Sequence, residues 1–190
     1  MKTTHQLFGI LFLVMALAMS EHETFADELP GPELRLDGTL PMTPGVPLFV
    51  PIDFTANGFM ISAIAFSLDL DLDRLEFDAS DDDGDGVPDA VHVPIDPGLT
   101  FVTFDADDAD GELDNLLDNF SAPLPEGLLI ELEVVPLCGG WVASAIDFSL
   151  DPSASFGDLD GQDVPGTAMV TRVAEIFADG FESGDLGAWW

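Results

Sequence analysis

Large apolar residues alternate with small or polar residues along several segments of this chain. The alternation has a period of two, which places every second side chain on the same face of a β-strand. A strand with one apolar face must bury that face against a second layer of structure. The segments are PLFVPIDF (47–54), ISAIAFSLDL (61–70), LTFVTFD (99–105), GLLIELEVV (127–135), SAIDFSLD (144–151) and TAMVTRV (167–173).

The alternation also predicts which side chains face a core. Proline and glycine fill the gaps between the segments, as in TPGVP, PLPEG and DVPG, and both residues favour turns. Many short strands joined by turns, with few helix signals, predict an all-β, antiparallel two-sheet sandwich. The residues predicted to face its core are Leu48, Val50, Ile52 and Phe54; Ile64, Phe66, Leu68, Leu70 and Leu72; Leu128, Ile130, Leu132 and Val134; and Ile146, Phe148 and Leu150.

One segment has a different spacing. In GELDNLLDNF (111–120), the apolar residues Leu113, Leu116, Leu117 and Phe120 recur at helical intervals. This spacing by itself predicts a short helix.

A short fragment occurs twice in the chain. AIAFSLD at 63–69 returns as AIDFSLD at 145–151. Two widely separated copies predict two equivalent strands of one sandwich, and not an array of stacked repeats.

The first residues have the form of a secretory signal peptide. Lys2 supplies a positive start, an apolar run extends from Leu7 to Ala18, and small residues follow. The run is too short to span a bilayer. We therefore predict a signal peptide at 1–26 and a secreted protein, extracellular or at the cell surface, with no membrane span.

The remainder of the chain divides into three parts. Residues 27–33 are predicted to be a linker, and residues 34–174 the sandwich. Residues 175–190, EIFADGFESGDLGAWW, resemble an F-x-D-G-F-E-S-G-D motif found at the ends of many exported bacterial proteins. Sorting, docking and covering an open sheet end are the alternatives for this tail.

The chain is strongly acidic. It has 37 acidic and 4 basic residues, for a formal net charge of −33. The negative electrostatic field of such a protein repels the phosphates of nucleic acids and anionic lipids, and it favours binding of cations or of a partner with a basic face. An acid-rich surface also keeps proteins soluble in salty surroundings. The single cysteine, Cys138, excludes an internal disulfide and is interpreted as a small buried residue, with an intermolecular bridge or a nucleophile as alternatives.

The stretch SDDDGDGVPDA (80–90) matches a calcium-binding loop, D-x-D-x-D-G-x-x-D. Alternating acids bring their oxygens to one point as the backbone coils, and Ca²⁺ prefers six to eight oxygen ligands. Gly86 permits the sharp turn in the middle of the loop. The predicted ligands of a structural Ca²⁺ are the side chains of Asp81, Asp83, Asp85 and Asp89 and the backbone carbonyl of Val87.

The twelfth position of this loop departs from the pattern. It holds His92, where a calcium loop has an acid that supplies two oxygens. The missing ligand would come from Glu76, Asp78, Asp96 or water. A solvated acidic turn is the alternative, because Asp and Gly favour turns. The later stretch FGDLDGQD (156–163) offers either a second, weaker ion site or a plain turn.

No catalytic residues are predicted. His5 and His22 fall in or near the predicted signal peptide, which leaves His92, and no nucleophile elbow, Cys/His motif or phosphate loop is present. An acidic chain still offers carboxylate pairs of the kind that glycosidases use. Sugar binding would need an exposed aromatic ring, for which Trp141 is the candidate ligand-binding residue. A tryptophan of the core or rim is the alternative.

Three stretches of the chain resemble the cohesin family. The first is similar to a cohesin run that closes with an acidic residue and Leu-Glu-Phe, and the second to two cohesin strands joined by a Pro-Asp/Glu-Gly turn, here Pro125-Glu126-Gly127. The third looks like the last cohesin loop and strand. The stretches are VPLFVPIDFTANGFMISAIAFSLDLDLDRLEFD (46–78), GELDNLLDNFSAPLPEGLLIELEV (111–134) and FGDLDGQDVPGTAMV (156–170).

The resemblance implies a jelly-roll β-sandwich, with a strand instead of a helix at 111–120. Cohesins are non-catalytic modules that bind dockerin modules and hold polysaccharide-degrading enzymes, so the resemblance implies a dockerin-like module or a polysaccharide as partner. We therefore predict a secreted, non-catalytic binding or anchoring module with structural calcium, linked to polysaccharide breakdown. The alternatives are a stand-alone carbohydrate-binding module and a polysaccharide-active enzyme.

Overall fold

The computed structural model describes residues 30–105, 111–149 and 154–172, which fold into two packed β-sheets. These residues contain fourteen strands and one short 3-10 helix at Val142–Ser144, and no α-helix. The all-β prediction is confirmed. The strands are β1 (Glu33–Leu36), β2 (Pro41–Met42), β3 (Leu48–Thr55), β4 (Ile61–Leu70), β5 (Leu75–Glu76), β6 (Val91–His92), β7 (Leu99–Asp105), β8 (Glu112–Asp118), β9 (Gly127–Pro136), β10 (Gly140–Trp141), β11 (Ile146–Phe148), β12 (Ala154–Asp158), β13 (Asp163–Val164) and β14 (Thr167–Val170).

The strand order shows how the chain builds the sandwich. The first sheet has the order β14-β1-β3-β9-β5, and β6 also pairs with β9. The second sheet has the order β13-β12-β4-β8-β7, and β11 also pairs with β4. Strands β2 and β10 form a separate two-stranded ribbon. The chain crosses between the sheets at β3–β4, β4–β5, β6–β7, β8–β9, β13–β14 and, through the ribbon strand β10, between β9 and β11. Repeated crossing of this kind is typical of a jelly roll, so the predicted jelly-roll sandwich is confirmed.

One strand pair departs from the antiparallel prediction. Strand β1 pairs with β14 in parallel, with Glu33 opposite Thr167 and Leu36 opposite Val170. The first and last described strands therefore lie side by side at the edge of the first sheet. Parallel pairing requires a long connection between the two strands, and here almost the whole sandwich lies between them.

Apolar side chains from both sheets form one core. On β3, Val50, Ile52 and Phe54 are buried, as their alternation predicts. The same holds on β4 from Ile64 to Leu70. Each buried side chain of this size stabilises the fold by roughly 1.5–3 kcal/mol.

Strand β9 breaks its own alternation at one place. Ile52 pairs with Ile130, but the next residue of β3, Asp53, pairs with Leu128. Leu129 is thus the extra residue of a β-bulge, which turns its side chain inward. Leu129 is fully buried while Leu128 is 38% exposed, so the prediction that Leu128 faces the core is wrong.

The segment with helical spacing is a strand, β8. In this strand Leu113, Asn115 and Leu117 face the core, whereas Leu116 is only partly covered and Phe120 is 73% exposed. The reason is tertiary: every residue from Glu112 to Asp118 pairs with a residue of β4. The strand implied by the resemblance is confirmed, and the helix indicated by spacing does not form.

The repeated fragment occupies neighbouring strands of unequal length. The first copy lies in β4, the ten-residue strand at the centre of the second sheet, and the second copy forms the three-residue strand β11. The two copies pair with each other, with Ile146 opposite Leu70 and Phe148 opposite Leu68. Both are strands, as predicted, but their places in the fold are not equivalent.

Several predictions concern residues outside the described ranges. The predicted signal peptide (1–26), residues 27–29 of the predicted linker, residues 173–174 of the predicted sandwich, the tail (175–190) and Leu150 belong to this group. In the described part of the chain, no helix has the length and apolar character needed to cross a membrane.

Candidate functional site

The aspartate-rich loop connects two short strands at the same edge of the first sheet. Both β5 and β6 pair with β9, so the two ends of the loop are fixed on one neighbour. Phe77 and Val87 pack partly against the core, and Ala90 is buried. These apolar residues hold the base of the loop, and its charged residues extend into solvent. Short strands therefore flank the loop on both sides.

Three carboxylates converge at the tip of the loop. Oxygen atoms of Asp81, Asp83 and Asp85 all lie within 4.8 Å of one another, and the three side chains are exposed. Carboxylates this close repel each other, and a cation between them would relieve the repulsion. Oxygen ligands at flexible spacing suit Ca²⁺ better than the softer transition metals.

The backbone of the loop coils around Asp81. The N–H groups of Gly84 and Asp85 donate to Asp81 Oδ1 at 2.8 and 3.1 Å, and that of Gly86 donates to Oδ2 at 2.9 Å. Gly84 and Gly86 adopt positive φ angles of 74° and 88°, which residues with a Cβ rarely adopt. The two glycines therefore permit the curvature that brings the carboxylates together.

Asp89 lies apart from the three converging carboxylates. Its Oδ2 accepts a hydrogen bond from the Asp82 N–H at 3.2 Å and one from the Ser80 hydroxyl at 3.4 Å. Its own N–H donates to the Ser80 carbonyl at 2.7 Å. Asp89 thus closes the base of the loop. Its role as a metal ligand, and that of the Val87 carbonyl, stay predictions.

The residues considered for the missing ligand lie on two sides of the loop. Glu76 and Asp78 line a cavity of about 470 Å³ together with Asp89 and Glu133. Asp96 lines a different cavity, with Asp85 and Val87 among its walls. The backbone N–H of Ser80 donates to Asp78 at 3.0 Å. This hydrogen bond, and then the Ser80 side chain, lower the pKa of Asp78.

His92 is a strand residue. It lies on β6 opposite Glu131, with its Nε2 atom 3.6 Å from Glu133 Oε2. Its ring centroid is 6.1 Å from that of Phe49. These contacts hold the imidazole over the outer face of the first sheet.

The second acidic stretch forms a hairpin turn between β12 and β13. Asp158 Oδ1 accepts hydrogen bonds from the N–H groups of Asp160 at 2.9 Å and Gln162 at 2.8 Å. The Gly161 N–H donates to the Asp158 carbonyl at 3.0 Å. These bonds give Asp158 a turn-forming role without an ion.

Trp141 lies on the two-stranded ribbon. It pairs with Pro41, and its side chain is 46% exposed, so it is not a core tryptophan. Its carbonyl accepts a hydrogen bond from the Ser144 hydroxyl at 2.7 Å. Sugar binding by the exposed ring stays a prediction. Cys138, three residues earlier, is half-buried and has no disulfide partner within the described residues.

The outer face of the second sheet carries a row of apolar side chains. Ala65 of β4 is opposite Leu116 of β8, and Leu116 is opposite Phe101 of β7. Phe101 is 54% exposed. Along β8, Asp114 and Asp118 lie on either side of Leu116 and are outward-facing. We call Ala65, Leu116 and Phe101 the apolar row.

Sequence reasoning did not identify the apolar row as a surface. The alternation of LTFVTFD predicts only that β7 has two faces, and the helical spacing of 111–120 obscured Leu116. The row becomes visible only through the strand register, which places residues far apart in sequence directly opposite each other.

We compared the chain with known protein families, curated proteins and solved structures. No family model matches the sequence, and a search of curated proteins finds no match. Similar solved structures include a non-cellulosomal cohesin from the archaeon Archaeoglobus fulgidus, with 11% identity and a TM-score of 0.46 over 79% of this chain and 98% of that chain.

Two further structures are cohesins of bacteria. One is the cohesin module of a family 33 glycoside hydrolase from Clostridium perfringens, with 7% identity and a TM-score of 0.44 over 75% of this chain and 98% of that one. The other is the third ScaB cohesin of R. flavefaciens in complex with a group 1 dockerin, with 15% identity and a TM-score of 0.45 over 75% and 96%. Matches at this sequence identity and TM-score do not assign a ligand to this chain.

Proposed function

We propose that this chain is an exported, non-catalytic binding module that holds a protein partner on the outer face of its second sheet. The observation that carries this proposal is the apolar row on an otherwise acidic surface. Leu116 and Phe101 form an apolar contact area, and Asp114 and Asp118 border it. An interface with an apolar centre and a charged rim has the composition of a protein–protein contact.

The chemistry of this face defines the partner. Its rim is acidic, so the partner presents basic side chains around an apolar centre. Because the sequence patterns resemble cohesins, we propose a dockerin module as the partner class. The module itself supplies affinity and position, and a catalytic domain attached to the partner would supply activity.

Calcium has a structural role in this proposal. Asp81, Asp83 and Asp85 supply converging oxygens, and Asp89 and the Val87 carbonyl complete the proposed ligand set. The ion stabilises a loop whose charges otherwise repel one another. Its proposed ligands lie on a loop of the first sheet, whereas the apolar row lies on the outer face of the second sheet, so the ion takes no part in the proposed contact with the partner.

The test is calorimetric titration of the purified protein with dockerin modules. Leu116→Glu places a charge in the centre of the apolar row, and we expect it to weaken binding by about tenfold or more. Leu128→Glu is the matched control, because Leu128 is outward-facing on the other sheet. Equal affinity of Leu116→Glu and the unmodified protein would rule out this face. Release of sugars from a polysaccharide would rule out the non-catalytic role.

A second candidate function is carbohydrate binding, favoured by the exposed ring of Trp141. An aromatic face at the surface can stack on a sugar ring. On a glycan array, binding that disappears in Trp141→Ala and persists in Leu116→Glu would support this function. Binding to no glycan would exclude it.

A further inference from the structure

Strand β7 forms a long edge of the second sheet. It has seven residues, Leu99–Asp105, and within the described ranges it pairs only with β8. Among the described strands, β5, β6 and β13 at the other edges have two residues each, and β14 has four. Strand β7 is therefore the edge with room for another strand.

The hydrogen-bond pattern identifies which backbone groups are free. The Leu70 N–H donates to the Gly111 carbonyl, and the Asn119 N–H donates to the Ser62 carbonyl. Odd-numbered residues along β8 therefore direct their backbone groups to β4, and even-numbered residues direct theirs to β7.

The register then fixes the orientation of β7. Leu116 is opposite Phe101, and Asp114 is opposite Thr103, so the odd-numbered residues of β7 bond to β8. The N–H and C=O groups of Thr100, Val102 and Phe104 point away from the sheet. Within the described residues these groups have no backbone partner outside the sheet.

In the part of the chain that the structure describes, this edge lacks the usual protection against strand pairing. Natural edges carry lysine, proline, an inward-facing charge or a bulge. The sequence LTFVTFD contains none of these before its terminal Asp105, and its register with β8 is unbroken. An unprotected edge of this kind is the geometry of binding by strand addition.

We propose that the β7 edge binds an extended segment of another protein as an added strand, with basic and apolar side chains in alternation. The inference goes beyond the proposed function, because it uses the backbone of the edge and stands even if the apolar row binds nothing. Thr100, Val102 and Phe104 would supply the backbone hydrogen bonds.

The surroundings of the edge define the side chains of that segment. On the inner side, Thr100 borders a cavity of about 390 Å³ that is lined by the apolar residues Val91 and Ile95 and also by Asp85 and Asp96, so it suits an apolar or a basic side chain. On the outer side, Asp114 and Asp118 lie one strand further in, about 10 Å from an added strand. A lysine or arginine side chain can reach them.

The charge of the protein argues against a second copy as the occupant. Each copy carries a formal charge of −33, so two edges approaching each other would repel strongly. A basic segment is instead attracted electrostatically to the acidic protein, which favours its approach to the β7 edge.

Hydrogen exchange measured by NMR is the first test. The probe is a capped heptapeptide in which lysine alternates with valine. In the free protein we expect fast exchange of the Thr100, Val102 and Phe104 amides and slow exchange of the Phe101 and Thr103 amides. Adding the peptide should slow exchange at the first three. Unchanged exchange at all three with saturating peptide overturns the proposal.

Affinity measurements with two matched variants are the second test. Thr100→Pro removes one free N–H and leaves the bonds to β8 intact, because proline is tolerated where the N–H faces solvent. Thr100→Val keeps the N–H. We expect Thr100→Pro to weaken peptide binding about fivefold, and Thr100→Val to bind like the unmodified protein. Equal binding by both variants overturns the proposal.

Two control peptides separate backbone pairing from simple attraction. A peptide N-methylated at alternate residues keeps every charge, and we expect it not to bind. A peptide with glutamate in place of lysine should not bind either. If the methylated peptide still binds, charge attraction alone explains the binding and the proposal is overturned. Self-association of the protein that Thr100→Pro abolishes would also overturn it, because the edge would then bind a second copy of this chain. We expect Thr100→Pro to leave dockerin binding unchanged. The proposed function and the strand-addition proposal can therefore fail independently of each other.

Discussion

Asp81 and Gly86 are joined by a hydrogen bond of 2.9 Å, in which the Gly86 N–H donates to the Asp81 carboxylate. The bond closes the tip of the aspartate-rich loop and turns the backbone around the side chain that begins it. Because Gly86 has a positive φ, the sharp turn and the position of the carboxylate depend on each other.

Removing two of the converging carboxylates should abolish stabilisation by calcium. At calcium tenfold above its dissociation constant, the unmodified protein should gain about 1.4 kcal/mol in unfolding free energy. Asp83→Ala with Asp85→Ala should gain nothing. Asp53→Ala with Asp118→Ala changes the charge equally, outside the loop and outside the second acidic stretch, and should keep the gain. Thermal melts with and without calcium measure both, and an unchanged shift in the first variant would refute the site.

Substituting Gly86 should weaken calcium binding while the carboxylates stay in place. A Cβ added at Gly86 would meet no atom within 4 Å, so Gly86→Ala causes no clash. Its cost comes from the positive φ of 88°, which is unfavourable for alanine by about 1–2 kcal/mol. We expect this cost to lower the calcium affinity roughly tenfold. Gly139→Ala serves as the control, because Gly139 has an ordinary φ and its nearest atom is 3.9 Å away. Calcium titration of the two variants gives the comparison, and equal affinities would contradict the predicted role of Gly86.

Replacing Asn115 should stabilise the sandwich. Asn115 faces the core, and its Oδ1 atom has no hydrogen-bond partner in the described structure. An unpaired buried polar atom costs about 1–3 kcal/mol. Asn115→Val should therefore raise the unfolding free energy by about 1 kcal/mol in urea. Asn119→Ala should lower it, because Asn119 accepts hydrogen bonds from Ser121. A loss of stability in Asn115→Val would argue that the amide has a structural role.

Salt should stabilise this protein. The chain has 37 acidic residues against 4 basic ones, and its three described arginines all form ion pairs with acids. Screening therefore removes more repulsion than attraction. Melting temperature should rise between about 0.05 and 0.5 M sodium chloride. A falling melting temperature would mean that the ion pairs outweigh the repulsion.

Acid should weaken the loop through Asp78. The backbone N–H of Ser80, and then its side chain, lower the pKa of Asp78 in the folded protein, so the folded pKa lies below the unfolded one. The stabilisation is present above the unfolded pKa and is lost as pH falls through the folded pKa. Ser80→Ala removes the hydroxyl and should raise the pKa of Asp78 in an NMR titration. Ser121→Ala, remote from Asp78 in sequence, should leave it unchanged. An identical Asp78 titration in both variants would exclude the hydroxyl as a cause.

Local pattern was sufficient for much of the fold. The alternation in 47–54 and 61–70 predicts the inward faces of β3 and β4, and the spacing of Asp81, Asp83 and Asp85 predicts that their oxygens converge. These features depend on residues a few positions apart in sequence. Backbone geometry alone places alternate residues of a strand on one face, and it brings alternate aspartates of a coiled loop together.

Pairing between distant strands decided the rest. A bulge against β3 turned Leu129 inward in place of Leu128, and pairing with β4 held 112–118 as a strand against its helical spacing. The same pairing brought Leu116 beside Phe101 and left Thr100, Val102 and Phe104 on a free edge. The sequence itself determined the strands within 47–54 and 61–70, their inward faces and the acidic loop. Only the tertiary structure decided register, the apolar row and the open edge, because hydrogen bonds between strands join residues whose separation along the chain leaves no local signal.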